Sequence, residues 1–384
     1  MKPTISSVIA VCGTDFGWGS AGTIADVLDA LEKQMHESPE VVMLGSALGR
    51  PLLNGYPVAA WYEQWPRDPV ALRALLQDHG VSAGLVVLDP EAADALENAG
   101  CPTVYVDSLP FLWSGQDPLP VSVTSYCAQL CFVLPHLCWP ALRRIERLVW
   151  IESIVAEPGV SYASGEGYAV VNLGGLHSPT IGEARDVYSQ LVLGPTLSAL
   201  SDAGYRRIEV CGNLDQAAAP NDFEISAAVS MGRHSHRNFL HLLDGADLLV
   251  TSPGLITLME AGVRGLPTLC LPPQNVSQVL IGDQFAALVD AHCRILWPSE
   301  ILSRADLERV RATSEEEGLR LIYNTLSNAV GNTGLPGYLR SELTHGLQWL
   351  RELAVPTWKS MTEVCGTRGA VQVASILSKI IVSS

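Results

Sequence analysis

Short apolar runs alternate with amphipathic stretches along this chain, and the alternation sets the elements it predicts. Residues 7–12 are apolar after the first, the mark of a strand buried on both faces. A Gly-rich loop over 13–22 follows. An amphipathic helix then runs from about 23 to 34, with Ile24, Val27, Leu28 and Leu31 on one face. Strands at 41–44, 85–88 and 103–106 alternate with helices at 70–79 and 90–99. This pace predicts a parallel sheet with helices on both faces. It breaks between Asp107 and Pro120, a stretch carrying two aromatics, Phe111 and Trp113. That stretch reads either as a functional loop with exposed rings or as a packed surface loop. Residues 140–154 read as the last helical piece of this domain.

Pro and Gly punctuate 155–167, which marks it as a linker. Beyond it the pattern restarts. A strand at 168–173 meets a Gly174-Gly175 turn and a helix from about 182. Strands at 207–211 and 227–231, a helix starting near 238 and a strand at 247–250 follow. Ser252-Pro253-Gly254 then forms a turn, with Ser252 placed to cap a helix that begins near 255. Gly265-Leu266-Pro267 ends that helix, 268–271 is a strand, and Pro272-Pro273 opens a loop carrying Asn275 and Gln278. Helices at 304–310, 315–328, 337–353 and 368–381 complete the chain. The prediction is an α/β chain of two Rossmann-like, doubly wound domains facing a cleft, with a helical carboxyl-terminal tail. The first domain covers 1–157, the linker 158–167 and the second domain 168–336. The tail, 337–384, is expected to pack back on the first domain.

Composition removes several function classes. The chain has 384 residues, 48% of them hydrophobic, which is enough for two cores. A formal net charge of −16 argues against nucleic acid and against a polybasic membrane patch. Backbone N–H groups and helix ends can still hold phosphate. The nine cysteines are odd in number, and several lie inside apolar runs, the usage of a reducing compartment. Cys127, Cys131 and Cys138 with His136 match no zinc spacing, so no metal is expected. The amino-terminal stretch lacks a signal-peptide pattern, and no run approaches the ~20 apolar residues of a membrane span. A cytoplasmic location is therefore expected, and association into a homodimer is left open.

The chemistry concentrates in four places. Gly174-Gly175 lies between a strand and a helix, where backbone N–H groups can approach a pyrophosphate, and Ser252-Pro253-Gly254 repeats that geometry in the same domain. Neither is a Walker A motif or a GxGxxG fingerprint. The first loop does contain GxGxxG, at Gly17, Gly19 and Gly22, but no acid ends the second strand to hold a ribose, so hydride transfer is disfavoured. Asp15 in that loop is either a general base or a cap of the turn. Glu260, one turn inside an otherwise apolar helix, suits the vicinal hydroxyls of a ribose; its alternative is a solvated helix acid. His234, His236 and His241, beside Arg233 and Arg237, read as a solvated loop and helix start or as a basic loop near a pyrophosphate.

On these residues the chain resembles the GT-B glycosyltransferases. The run Ser252-Pro-Gly-x-x-Thr257-x-x-Glu260-Ala-x-x-x-Gly265-x-Pro267, followed by Pro272-Pro-x-Asn275-x-x-Gln278, is similar to their nucleotide-sugar signature. The resemblance implies that the second domain holds the donor. Gly174, Gly175, Ser252 and Gly254 would hold the diphosphate with Thr257 beside them, Glu260 the ribose, and Asn275 and Gln278 the sugar. It implies that Gly17, Gly19 and Ser20 lie on the acceptor side with Asp15 as base. The chemistry would be metal-independent, with no cofactor and a UDP-sugar as co-substrate. Two departures stand out: Thr251 and Ser252 replace the His-Cys of many members, and Ser20 or Asp15 stands near the position of a first-loop histidine.

A narrower resemblance, over 106–113, 117–120 and 126–129, is to cytosylglucuronate synthases of nucleoside-antibiotic pathways. It implies UDP-glucuronate as donor and free cytosine as acceptor, with Asp107, Phe111 and Trp113 near the flat base. The competing readings are a GT-B-fold nucleotide-sugar epimerase or hydrolase, and a non-catalytic nucleotide-sugar-binding auxiliary protein.

Overall fold

Strands that are apolar on both faces need neighbours on both edges and helices above and below, and the chain satisfies this twice. The computed structural model describes residues 7–35, 39–114, 117–133, 140–159, 167–175, 177–214, 224–353 and 358–383. Contacts divide the chain into Met1–Ala156 with Cys365–Ser384, and Glu157–Val364.

The first unit holds β1 (Val8–Gly13), β2 (Glu40–Leu44), β3 (Val58–Tyr62), β4 (Val81–Val87), β5 (Thr103–Asp107), β6 (Ser125–Gln129) and β7 (Leu148–Ile151). They form a parallel sheet ordered β3-β2-β1-β4-β5-β6-β7. Its helices in this stretch are α1 (Gly19–Met35), α2 (Pro69–Asp78) and α3 (Pro90–Asn98). Asp68 and Asp89 cap α2 and α3, each followed by a Pro at the first helical position, where no N–H is needed.

The second unit pairs β8 (Tyr168–Asn172), β9 (Arg207–Cys211), β10 (Ala228–Gly232), β11 (Leu248–Thr251) and β12 (Thr268–Cys270) in parallel, ordered β10-β9-β8-β11-β12. Its helices are α4 (Val187–Asp202), α5 (His236–Gly245), α6 (Leu255–Arg264), α7 (Val276–Leu288), α8 (Arg304–Arg311), α9 (Glu315–Ala329), α10 (Leu335–Glu352) and α11 (Ser360–Glu363). The final helix, α12 (Gly369–Ser383), belongs to the first unit. There Val373, Ala374 and Leu377 join Ile9, Val11 and Leu85 in one core layer, while Ala10, Val86, Tyr105 and Tyr126 fill the opposite face with Leu72 and Leu96.

Several elements differ from expectation. The tail is divided: α10 packs on α4 in the second unit, and only Cys365–Ser384 returns to the first. The Gly-rich loop is shorter than read, because Gly19 to Gly22 already belong to α1. Gly13 makes this packing feasible, since a Cβ there would lie 3.0 Å from Ile24 Cδ1 and 3.1 Å from Ser20 Cβ. The stretch 140–154 is a 3-10 turn followed by β7 rather than a helix. Gln278 lies inside α7 rather than in a loop. All described cysteines are buried, and burial pushes the Cys127 thiol up to about 11.

Candidate functional site

In each sheet the strand order reverses once, between β1 and β4 and between β8 and β11. Loops leaving the carboxyl ends of such a pair diverge to opposite faces and open a crevice where ligands bind. In the second unit Asn172 pairs in register with Thr251, so β8 and β11 end level. The Asn172 amide nitrogen donates to Thr257 Oγ1 at 3.1 Å and lies 3.4 Å from Thr251 Oγ1, while its oxygen accepts from Gly174 N at 3.1 Å. One buried side chain thus ties the Gly-Gly turn to the first turn of α6. Gly174 has φ 72°, a left-handed conformation that favours glycine. A Cβ on Gly174 would lie 3.7 Å from Ser252 Oγ. Ser252 is buried, and among the described residues its hydroxyl makes no hydrogen bond.

Ser252 does not cap α6, contrary to expectation. The cap is Gly254, which has no side chain, so the first N–H groups of α6 receive no side-chain cap. Such groups and the helix dipole favour an anion. The start of α7 is filled instead. Asn275 Oδ1 accepts from Gln278 N at 2.9 Å, and Glu315 accepts from Ser277 N at 2.8 Å and from Ser277 Oγ at 2.7 Å. Burial pushes the Glu315 carboxyl up to about 7, against the two bonds from Ser277. An anion is therefore favoured at α6, not α7.

Gln278 Oε1 accepts from Gln274 N at 2.9 Å. The oxygens of both Asn275 and Gln278 are held by backbone N–H groups, and among the described residues neither amide nitrogen has a partner. Both residues are half-buried, which suits donation to a polar ligand.

Glu260 is fully buried and pairs with Arg264 one turn on, whose Nε donates to Asp244 Oδ1 at 2.9 Å. The guanidinium is itself only 5% exposed, so two carboxylates and one cation share a dry site. This structural task was not visible in the sequence, and it replaces the alternative of a solvated acid.

At the β1/β4 crossing of the first unit, Thr14 N donates to Val87 O at 3.1 Å, and Leu88 adopts φ 59°, the one positive φ outside glycine among the described residues. Strain of this kind concentrates at functional positions. Asp15 is exposed and accepts the Ser46 hydroxyl. Gly17 has φ 63° and Gly19 opens α1, while the buried Ser20 closes the loop by donating to Thr14 O at 2.9 Å. Asp107 is fully buried and accepts from Tyr126 Oη at 2.7 Å, Trp113 Nε1 at 2.8 Å and Leu109 N at 3.2 Å. Desolvation raises its carboxyl to about 6 against these three bonds. Phe111 is buried and Trp113 half-buried, so of the two readings the packed loop holds: Pro110–Leu112 form a 3-10 turn and Asp107 accepts from the indole.

In the histidine cluster Arg233, Arg237 and His241 are exposed, as the solvated reading has it, while His234 Nε2 lies 2.9 Å from Glu209 Oε1 and His236 is buried at the start of α5. His136 and Cys138 lie outside the described residues, as does the linker over 160–166. Sequence reasoning missed Asn172, Gln274 and Glu315. Gln274 is buried, donates to Leu173 O at 3.2 Å and accepts from Tyr323 Oη at 3.0 Å, bridging the β8 and β12 loops. Asn275-x-x-Gln278 was the available signal, because Asn followed three residues later by Gln marks a helix start.

No family model matches the chain, and no curated protein does either. Solved structures do. The spinosyn forosaminyltransferase SpnP aligns with 10% identity over 99% of this chain and 100% of its own, at a TM-score of 0.52. Arabidopsis thaliana UGT89C1 complexed with UDP-L-rhamnose aligns with 13% identity over 90% and 99%, at 0.50. The spinosyn rhamnosyltransferase SpnG complexed with thymidine diphosphate aligns with 12% identity over 90% and 100%, also at 0.50.

Proposed function

We propose that this chain, which has the GT-B fold, transfers a sugar from a UDP-sugar to a small-molecule acceptor. The observation that carries the reading is the β8/β11 crossing. There the Gly174-Gly175 turn, the Ser252 hydroxyl, which has no hydrogen bond among the described residues, and the side-chain-free start of α6 meet around one Asn172. Backbone N–H groups and a hydroxyl are what a diphosphate needs in a chain with few cations. Two solved proteins of this fold carry UDP-L-rhamnose and thymidine diphosphate respectively.

In this reading Gly174, Gly175, Ser252, Gly254 and Thr257 hold the diphosphate. Asn275 and Gln278 donate to the sugar, and Glu260, oriented by Arg264, takes the ribose. As the bond from the anomeric carbon to the phosphate oxygen breaks, its electron pair stays on the diphosphate, which the α6 amides stabilise. The acceptor oxygen or nitrogen attacks that carbon and loses its proton to Asp15. Free cytosine with UDP-glucuronate is the first acceptor and donor pair to try.

The experiment is a thermal-shift screen of nucleotide sugars, followed by product analysis with and without acceptors. A stabilising UDP-sugar consumed only when acceptor is present supports transfer. Consumption without acceptor means an epimerase or hydrolase, binding without turnover means an auxiliary protein, and no binding ends the donor reading.

A further inference from the structure

The loop that opens α7 is pinned at several points by buried groups of the second unit. Tyr188 Oη donates to Pro272 O at 2.7 Å, and Trp297 Nε1 donates to Pro273 O at 2.9 Å. The remaining holds come from α9. Near its middle, Tyr323 Oη donates to Gln274 Oε1 at 3.0 Å. In its first turn, Glu315 accepts from Ser277 N at 2.8 Å and from Ser277 Oγ at 2.7 Å. Between the two lies Gly318, where a Cβ would collide with Val276 Cγ2. One helix therefore grips the chain on both sides of Asn275.

The Ser277 hydroxyl has one proton and two acceptors in reach, Glu315 Oε1 at 2.7 Å and Asn275 Oδ1 at 3.0 Å. The nearer oxygen, on the carboxylate, takes it. Asn275 Oδ1 is left to Gln278 N at 2.9 Å, the bond that caps α7. Without Glu315 the hydroxyl would turn to Asn275 and compete with that cap.

We propose that Glu315 is a positioning residue for the sugar of the bound nucleotide sugar, acting through Ser277 to fix Asn275 and the first turn of α7. The proposal rests on the donor reading above, in which Asn275 and Gln278 meet the sugar. It separates the hold on the sugar from the hold on the diphosphate. Among the described residues, none of Gly174, Gly175, Ser252, Gly254 and Thr257 is hydrogen-bonded to Glu315 or Ser277.

The test is calorimetric titration of the full-length protein at pH 8.5, where Glu315 is ionised. The ligands are uridine diphosphate and four UDP-sugars, those of glucuronate, glucose, galactose and N-acetylglucosamine. Glu315→Ala is expected to weaken the UDP-sugars that the native protein binds by about tenfold, the size of one lost hydrogen bond. Uridine diphosphate should stay within about twofold. Glu315→Gln, whose amide can accept from Ser277 N and donate to Ser277 Oγ, should recover most of the loss. Ser277→Ala, which removes the hydroxyl and keeps the backbone bond, should give a smaller loss of the same kind. It decides the matter on the same criterion should Glu315→Ala not fold. Unchanged UDP-sugar affinity, an equal loss for uridine diphosphate, or a glutamine variant no better than the alanine one would overturn the proposal while leaving the donor reading standing. A native protein that binds uridine diphosphate but none of the four UDP-sugars would overturn the proposal as well. Failure to bind any of the five ligands would overturn both.

Discussion

The amide nitrogen of Asn172 lies 3.1 Å from Thr257 Oγ1, joining the last residue of β8 to the first turn of α6. Because the same amide's oxygen holds Gly174 N, one residue sets the spacing between the two candidate phosphate-binding loops. Asn172→Ala is expected to cost about 1–3 kcal/mol in stability, from lost bonds and a buried N–H left without its acceptor. It should also weaken uridine diphosphate about tenfold. Thermal unfolding and calorimetry measure the two effects separately. Loss of stability with full affinity would reduce Asn172 to a structural residue.

Asp107 predicts an inverted pH dependence. Its folded carboxyl titrates near 6, above the ordinary 3.8, so between these values the folded protein binds a proton that the unfolded chain releases. The contribution to stability is present in full below 3.8 and is lost as pH rises through 6, a swing of about 3 kcal/mol. Asp107→Asn removes this dependence. Urea unfolding of the native protein and the variant at pH 4.5 and 7.0 should show the variant with the smaller gain on acidification; parallel behaviour would contradict it.

Glu260 has two tasks that can be measured apart. Arg264→Met removes the cation shared by the buried Glu260 and the half-buried Asp244, and should cost about 3–5 kcal/mol. Glu260→Gln keeps the shape and leaves Arg264 its bond to Asp244. If Glu260 holds the ribose, this variant should lose about tenfold in affinity for uridine diphosphate and less for the 2′-deoxy analogue. Equal losses on both ligands would leave Glu260 with the structural task alone.

Asp15→Asn should lower turnover by about a hundredfold or more, the usual contribution of a general base, while donor affinity stays within about twofold. Ser46→Ala, which removes the hydroxyl that Asp15 accepts, should have a smaller effect in the same direction. Full turnover in the Asp15 variant would remove it as base.

Most of the architecture was legible because doubly buried strands leave continuous apolar runs, as at Val8–Gly13 and Tyr168–Asn172. The elements that escaped are those whose sequence carries little period. β6 reads Ser-Tyr-Cys-Ala-Gln and is buried through neighbours on both edges, while α7 scatters Ser277, Gln278, Asp283 and Gln284 among its apolar residues and showed no amphipathic stripe. Around the β8/β11 crossing the Gly174 turn was readable from local turn chemistry, whereas Ser252, read as a helix cap, does not cap α6. Asn172 was not readable, because it lies at the end of an apolar strand and acquires its partners, Thr251 and Thr257, from residues about eighty positions away. The same holds for Asp107, whose hold on Tyr126 depends on β5 and β6 lying side by side.

The place of α12 fixes an order of assembly. Val373, Ala374 and Leu377 lie at the far end of the chain, yet they complete a core layer begun by Ile9 and Val11. During synthesis the second unit, Glu157–Val364, is whole before the first can close, so the part of the protein made first finishes folding last. Until α12 arrives, one face of the seven-stranded sheet is missing part of its cover. A premature stop near Cys365 would therefore spare the second unit and damage the amino-terminal one.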